Sequence, residues 1–282
     1  MGTLKSLALA GAAVFVANTI AAAADLPPLI QRAPPMPVEE FGGWYLRGDI
    51  GFSSEQLRTF HEDGLIPAPL SVQNASSGFD GAGIFRLGIG YKFNSWLRAD
   101  LTGEYRAPAN FRSFDIVNSG GTLIPEHVAL SKSEFVFLGN VYADLGTWWC
   151  VTPFVGAGVG GAYNKLSNFS ETVIASLNPF TGSNVINANN FADDGGKWNF
   201  AWALHAGLAY RATPGLTIEL AYRYLNLGDA QTGAITGFLN NPQGTQFRID
   251  GMTSHDVTLG VRWMLQPEQA EPVYLPPLVR KG

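Results

Sequence analysis

The stretch from Phe85 to Arg106 constrains this chain more than any other, because it alternates along two long arms around a two-residue turn. Phe85, Leu87, Ile89, Tyr91 and Phe93 form one face of the first arm, and Arg86, Gly88, Gly90 and Lys92 the other. After Asn94-Ser95 the pattern resumes, with Leu97, Ala99, Leu101, Gly103 and Tyr105 set against Arg98, Asp100, Thr102, Glu104 and Arg106. A period of two places successive side chains on opposite faces, which is strand geometry. A soluble sheet would turn its polar face to water and its apolar face to a core. Arms this long, with aromatic residues at their ends, suit the reverse arrangement: an apolar face in lipid and a polar face inside a barrel.

The composition agrees. Only 15% of residues are charged while 46% are hydrophobic, against about 25% charged in an ordinary soluble domain. A net charge of −5 without any Lys/Arg cluster argues against a nucleic-acid partner. The single cysteine, Cys150, excludes an intrachain disulfide and a CxxC metal or redox site.

Residues 1–23 read as a secretory signal peptide, with Lys5 as the positive start, Leu7 to Ile20 as the apolar middle, and Ala21-Ala22-Ala23 as a small-x-small cleavage site between Ala23 and Ala24. Beyond it no apolar run approaches the ~20 residues of a spanning helix, so strands must make any membrane span. Residues 24–42 are a Pro-rich periplasmic tether, and 266–282 repeat the device: Leu275-Pro276-Pro277-Leu278 echoes Leu26-Pro27-Pro28-Leu29.

Residues 43–265 hold eight alternating segments, which predicts an all-β fold: an eight-stranded antiparallel up-and-down transmembrane β-barrel. An eleven-residue strand tilted by ~40° spans roughly 28 Å, close to the ~25 Å apolar band of an outer-membrane barrel. The connections alternate long (54–82, 107–132, 164–197, 229–253) and short (94–95, 146–151, 212–215). That is the pattern of four long extracellular loops and tight periplasmic turns, with both termini in the periplasm. Trp44, Phe93, Trp96, Trp148, Trp149, Tyr210 and Trp263 fall at one end of the strands, and Phe52, Tyr105, Phe135, Tyr163, Trp198 and Tyr224 at the other, as two aromatic girdles.

The inward positions collect Arg47, Arg86, Lys92, Arg98, Arg106, Arg211, Arg223 and Arg262 against Asp49, Asp100, Glu104, Glu134, Asp144, Glu219 and Asp256. An eight-stranded barrel has room inside only for its own side chains, and buried charges must pair there. The set therefore reads as a structural ion-pair network rather than an ion pathway, with His205 as a further member.

Gly156-Ala157-Gly158-Val159-Gly160-Gly161 matches GxGxxG, but a phosphate site needs a helix immediately after it and a polar loop follows instead. Glycines lining a crowded barrel wall are the better reading. Ser254-His255-Asp256 opens the last strand, yet adjacent strand residues alternate faces and cannot converge on one reacting centre. Glu134 and Asp256 approaching His255 from neighbouring positions is the arrangement that would make an enzyme. The connections lack a repeated carboxylate pattern for Ca²⁺, so neither a metal site nor a catalytic site is expected.

Trp44-Tyr45-Leu46-Arg47-Gly48, Pro153-Phe154-Val155-Gly156-Ala157-Gly158-Val159-Gly160 and Ala221-Tyr222-Arg223-Tyr224-Leu225-Asn226-Leu227-Gly228 resemble the small outer-membrane β-barrel surface antigens of alphaproteobacteria, a porin-like Gram-negative family. Thr258-Leu259-Gly260-Val261-Arg262-Trp263-Met264-Leu265 is similar to the strand read by the barrel-assembly machinery, although such barrels usually stop at a terminal aromatic and this chain continues past Leu265. The resemblance implies outer-membrane lipid and lipopolysaccharide, the assembly machinery and peptidoglycan as partners, the last through the mature start Ala24-Asp25. It brings haem into view through His61 or His127, although solvated surface loops are the stronger reading of those residues and no cofactor is expected. The expected function is a non-enzymatic surface barrel that supports envelope integrity and presents its loops. A haem- or solute-binding or weakly conducting barrel, and a lipid-modifying enzyme, are the alternatives.

Overall fold

The computed structural model describes residues 42–62, 70–119, 122–173, 188–237 and 245–265. The expected signal peptide, the Ala23/Ala24 junction and both Pro-rich segments lie outside them. Among the described residues twelve strands occur in chain order: β1 (Gly43–Gln56), β2 (Thr59–Glu62), β3 (Leu70–Phe79), β4 (Ala82–Lys92), β5 (Leu97–Ser119), β6 (Thr122–Asp144), β7 (Val151–Val173), β8 (Ala188–Ala192), β9 (Gly195–Thr213), β10 (Leu216–Gln231), β11 (Ile235–Gly237) and β12 (Phe247–Met264). Eight of them close a ring. β1 pairs with β4 and β12, and β4–β5–β6–β7–β9–β10–β12 completes the circuit, every pairing antiparallel. Closure satisfies every strand edge, which a sheet immersed in hydrocarbon requires.

The faces separate as the alternation predicts. Leu87, Leu101 and Phe200 stand 74%, 67% and 68% exposed on the outside, which only lipid contact makes tolerable. Two girdles bound this surface. Trp44, Tyr91 and Phe93 pack edge to face at the periplasmic end, while the Tyr105–Phe135 and Tyr163–Trp198 pairs pack at a tilt at the outer end.

The long connections differ from expectation. Within 107–132, read as a loop, residues 107–119 and 122–132 are the outer halves of β5 and β6, paired from Ala109↔Lys132 to Ser119↔Thr122. Strands of 23 residues rise roughly 58 Å at ~40° tilt, about twice the apolar band. Segments 54–82, 164–197 and 229–253 likewise contain strand: β2 pairs with β12, β3 with β5, and β8 with β7 and β11. The barrel thus stands well above the membrane.

Two causes hid these extensions. Above the lipid the outward face no longer has to be apolar, so Asn110 and Arg112 occupy it. In addition, the phase flips. The register shifts between Arg106 and Ala109, between Ala129 and Ser131 (opposite Ser167 to Ser170, with Asn168 at φ 54°), and around Gly228 (φ 74°) and Gly251 (φ 64°). Each shift is a bulge that inserts a residue and re-aims the strand, so a count of alternate positions breaks where the strands leave the membrane. Around the level of the bulges the inside is apolar: Phe111, Leu130, Leu166, Phe169, Leu225, Phe247 and Ile249 form one buried cluster, with Phe60 and Phe79 packed against it.

Candidate functional site

Below that apolar plug the lumen is filled with charge. In ring order, β5 and β10 are diametrically opposed, each four strands from the other. Long polar side chains on the β1, β4, β5, β6, β10 and β12 walls reach across the lumen because β7 and β9, apart from Phe154 and His205, present mostly small residues to it. Ala201, Ala203 and Ala209 are buried on β9, and at Gly160 on β7 any Cβ would collide with the carbonyl of Phe137. The GxGxxG match lies wholly within β7, where Gly156 and Gly158 make room for the Tyr142 and Asn140 side chains.

Three tiers follow the axis. In the lowest, Glu219 lies 3.4 Å from Arg47, 3.4 Å from Arg98 and 3.2 Å from Arg262. Arg98 also donates to Asp144 at 3.2 Å and lies 4.1 Å over the Tyr142 ring. Arg47 donates to Asp49 and Asp100, each at 2.8 Å, and to the Tyr142 hydroxyl at 3.0 Å; Tyr45 donates to Asp100 at 3.2 Å. In the middle tier Arg86 donates to Asp49 at 3.0 Å and to Thr258 at 3.2 Å, and lies 3.8 Å from Glu104.

The upper tier is the densest. Arg106 meets carboxylates from four strands: Glu55 at 3.2 Å, Glu104 at 3.2 Å, Glu134 at 2.6 Å and Asp256 at 3.0 Å. Lys132 bridges Glu55 and Glu134, and Arg223 holds Glu104 at 2.6 Å and Asp256 at 2.7 Å. Arg98 and Arg106 have no solvent exposure. Seven cations (Arg47, Arg86, Arg98, Arg106, Lys132, Arg223, Arg262) therefore interlock with eight carboxylates (Asp49, Glu55, Asp100, Glu104, Glu134, Asp144, Glu219, Asp256).

Of the fifteen charged residues expected inside, thirteen lie in this lumen, Arg106 among them. Glu55 and Lys132 were missed because both fell in stretches read as loops; Tyr45 and Tyr142 were missed because their rings face inward among the charges. Lys92 and Arg211 are corrections: they sit at the periplasmic strand ends, Arg211 exposed. His205 faces inward, but its contacts are Asn140 Oδ1 at 3.1 Å and the Tyr142 ring rather than a carboxylate.

The arrangement that would make an enzyme is not assembled at His255. Ser254 and Asp256 turn inside, bonded to each other at 2.5 Å, while His255 faces outward with Nδ1 2.7 Å from the Tyr222 hydroxyl. Glu134 and Asp256 are both held by Arg106. His61 and His127 do not converge either. His61 lies 3.4 Å from Asp250 on the β2–β12 side, and His127 is exposed opposite Phe114 and Thr172. Among the described residues no cluster of His, Cys, Asp and Glu is arranged to hold a metal ion.

Above the plug lies a second, purely acidic group. Asp115 and Glu126 are directly opposed across β5 and β6, Glu171 follows on β7, and Glu62 comes from β2. Glu126 stands roughly 23 Å beyond the outer girdle at Phe135. Burial, then the charges of Glu171, Asp115 and Glu62, pushes its carboxyl up to about 7.

A closed antiparallel ring with a lipid-facing apolar band and a charged interior defines an outer-membrane β-barrel. Residues 10–264 match the outer membrane protein beta-barrel domain family, and the chain belongs to it. It is 31% identical to an uncharacterised protein of Brucella suis biovar 1 (strain 1330), over 87% of this chain and 94% of that one. It is 29% identical to a candidate adhesin of Rickettsia typhi (strain Wilmington), covering 78% of this chain and 87% of that protein. Among solved structures, the outer membrane protein OprG from Pseudomonas aeruginosa superposes with a TM-score of 0.44 at 17% identity, covering 80% of this chain and 97% of that one.

Proposed function

We propose that this outer-membrane protein is a non-enzymatic, non-conducting surface barrel that supports envelope integrity and presents its raised extracellular sheet as a recognition surface. The observation that carries this reading is the interlocked lumen: its cations and carboxylates answer one another across the barrel, which suits a wall and not a passage. The candidate-adhesin description of the Rickettsia relative supports the surface role. In this reading residues 1–23 direct export, and Ala24 with the Pro-rich arm after it is the point of attachment to peptidoglycan.

A deletion strain tests the role. It should become sensitive to detergent and to large antibiotics normally excluded by the outer membrane, with small-sugar uptake unchanged. Loss of small-solute uptake with an intact barrier would favour a porin instead. Muropeptide mass spectrometry tests the attachment; finding only a free Ala24 amine would remove it from the account.

A further inference from the structure

Some of the lipid-facing glycines are not required by the backbone. Where the fold needs glycine, the need is visible: Gly228 and Gly251 have φ of +74° and +64°, and a Cβ at Gly207 would lie 2.6 Å from the Leu220 carbonyl. Gly48 and Gly103 are different. Neither has positive φ, and a Cβ would meet nothing nearer than Leu87 Cδ2 at 3.5 Å or the Phe137 ring at 3.4 Å. Both point to lipid, since Arg47, Asp49, Thr102 and Glu104 beside them are buried inside. Glycine weakens a strand interior and often marks the close approach of another molecule.

The two glycines floor one feature. Gly48 is opposite Leu87, Leu87 opposite Gly103, and Gly103 opposite Phe137; the next outward row is Ile50, Phe85, Tyr105 and Phe135. Together these side chains wall a groove of about 570 Å³. It runs from mid-strand to the outer girdle, which places it in the outer-leaflet half of the lipid band. The floor lies within the paired β1–β4–β5–β6 ladder, where Asp49, Arg86 and Glu104 also line it but keep their side chains buried on the lumen side, so that apart from Tyr105 the outward side chains are apolar. An occupant held there must be hydrocarbon, and the groove is continuous with the surface the barrel already presents to lipid tails.

We propose that this groove seats an acyl chain of lipid A from the outer leaflet, lying against the strand backbones at Gly48 and Gly103 between the flanking aromatic rings. Lipid tails are as apolar as the groove, so retention comes from close packing rather than from escape from water. That explains why the floor is glycine: any larger side chain fills the space the chain would occupy.

The test uses the full barrel extracted from outer membranes in mild detergent, with native mass spectrometry of co-purified lipid A. The wild type should retain lipid A, and Gly48→Leu and Gly103→Leu should each lower retention about fivefold by removing packing contacts. Gly161→Leu is the control: it is also outward-facing, its Cβ meeting the Trp198 ring at 3.5 Å and the Asn199 carbonyl at 3.7 Å, but it lies outside the groove, and it should retain lipid as the wild type does. Equal retention in Gly103→Leu and wild type, phospholipid alone in place of lipid A, or a wild-type dimer that Gly103→Leu splits with lipid unchanged would each overturn the proposal. If the leucine variants do not fold, lipid A carrying diazirine-tipped chains is crosslinked to the unaltered barrel. Crosslinks concentrated on Phe85, Tyr105 and Phe135 support the seat; crosslinks spread equally over Leu204 and Leu220 on the opposite wall refute it.

Discussion

Glu104 on β5 and Arg223 on β10 stand on diametrically opposed strands, yet their side chains meet at 2.6 Å. A contact of that length across the full width of the ring means that no channel runs between them. Arg98 and Glu219 repeat the relationship one tier lower, at 3.4 Å and again between β5 and β10. The charged lumen acts as a set of cross-braces.

Removing one end of a brace leaves buried charge without its partner. Arg223→Ala should therefore cost about 3–5 kcal/mol, the range for breaking a buried ion pair. Unfolding in urea, read as loss of the heat-modifiable band on a gel, measures it. Combining it with Glu104→Gln should recover part of the loss, because the neutral side chain no longer strands a charge. Strictly additive losses would argue that the two side chains do not interact.

The apolar plug should behave as a core. Phe111 is fully buried and within 5.4 Å of the Phe60 ring and 5.1 Å of the Phe79 ring. Phe111→Ala should cost about 3–5 kcal/mol through lost burial and the cavity left behind. The damage should be local, seen as faster hydrogen exchange in the outer halves of β5 and β6 with the membrane portion unchanged. Uniform acceleration along both strands would mean that plug and network are one cooperative unit.

The acidic group above the plug gives a pH dependence. Glu126, held up to about 7, has a folded value above its ordinary carboxylate range. Its contribution is fully present below that ordinary range and is lost as pH rises through about 7. Protection of the outer sheet from proteolysis should fall between pH 5 and pH 8 in the wild type and change less in Glu126→Gln. A wild-type profile that is flat, or that rises with pH, contradicts this assignment.

The periplasmic turn at Thr147 to Val151 carries strain of its own. Trp149 and Cys150 have φ of 50° and 67°, with Trp148 and Val151 bonded to each other on either side. Two consecutive positive φ values suit Asn-Gly, not these residues. Trp149→Asn with Cys150→Gly should stabilise the turn by about 1–2 kcal/mol if backbone strain is all that matters. Trp149 is 97% exposed beyond the girdle, so a net loss would instead show that its ring anchors the barrel at the interface.

Much of this was legible because lipid imposes a strict code. Between the girdles every outward residue must be apolar, so the alternation of Phe85 to Arg106 identified strands, faces and lumen charges together. The code lapses where lipid ends. Phe111 and Leu130 line the inside of the raised sheet while Asn110 and Ser131 face out, an inversion of the pattern below, and the Arg106/Ala109 bulge shifts the phase as it happens. Glu55 and Lys132 lie at that boundary, which is why two of the most tightly held charges escaped notice. Which charge meets which was not legible at all, because pairings such as Glu104 with Arg223 depend on barrel closure, and alternation within single strands carries no trace of it.

The central claim is that the lumen is braced shut, and single-channel recording tests it most directly. Purified barrel inserted into a planar bilayer should show no stable unitary current, while Glu104→Ala with Arg223→Ala and Arg106→Ala, if it folds, should admit ions. Open steps of constant size from the unaltered protein would contradict the account.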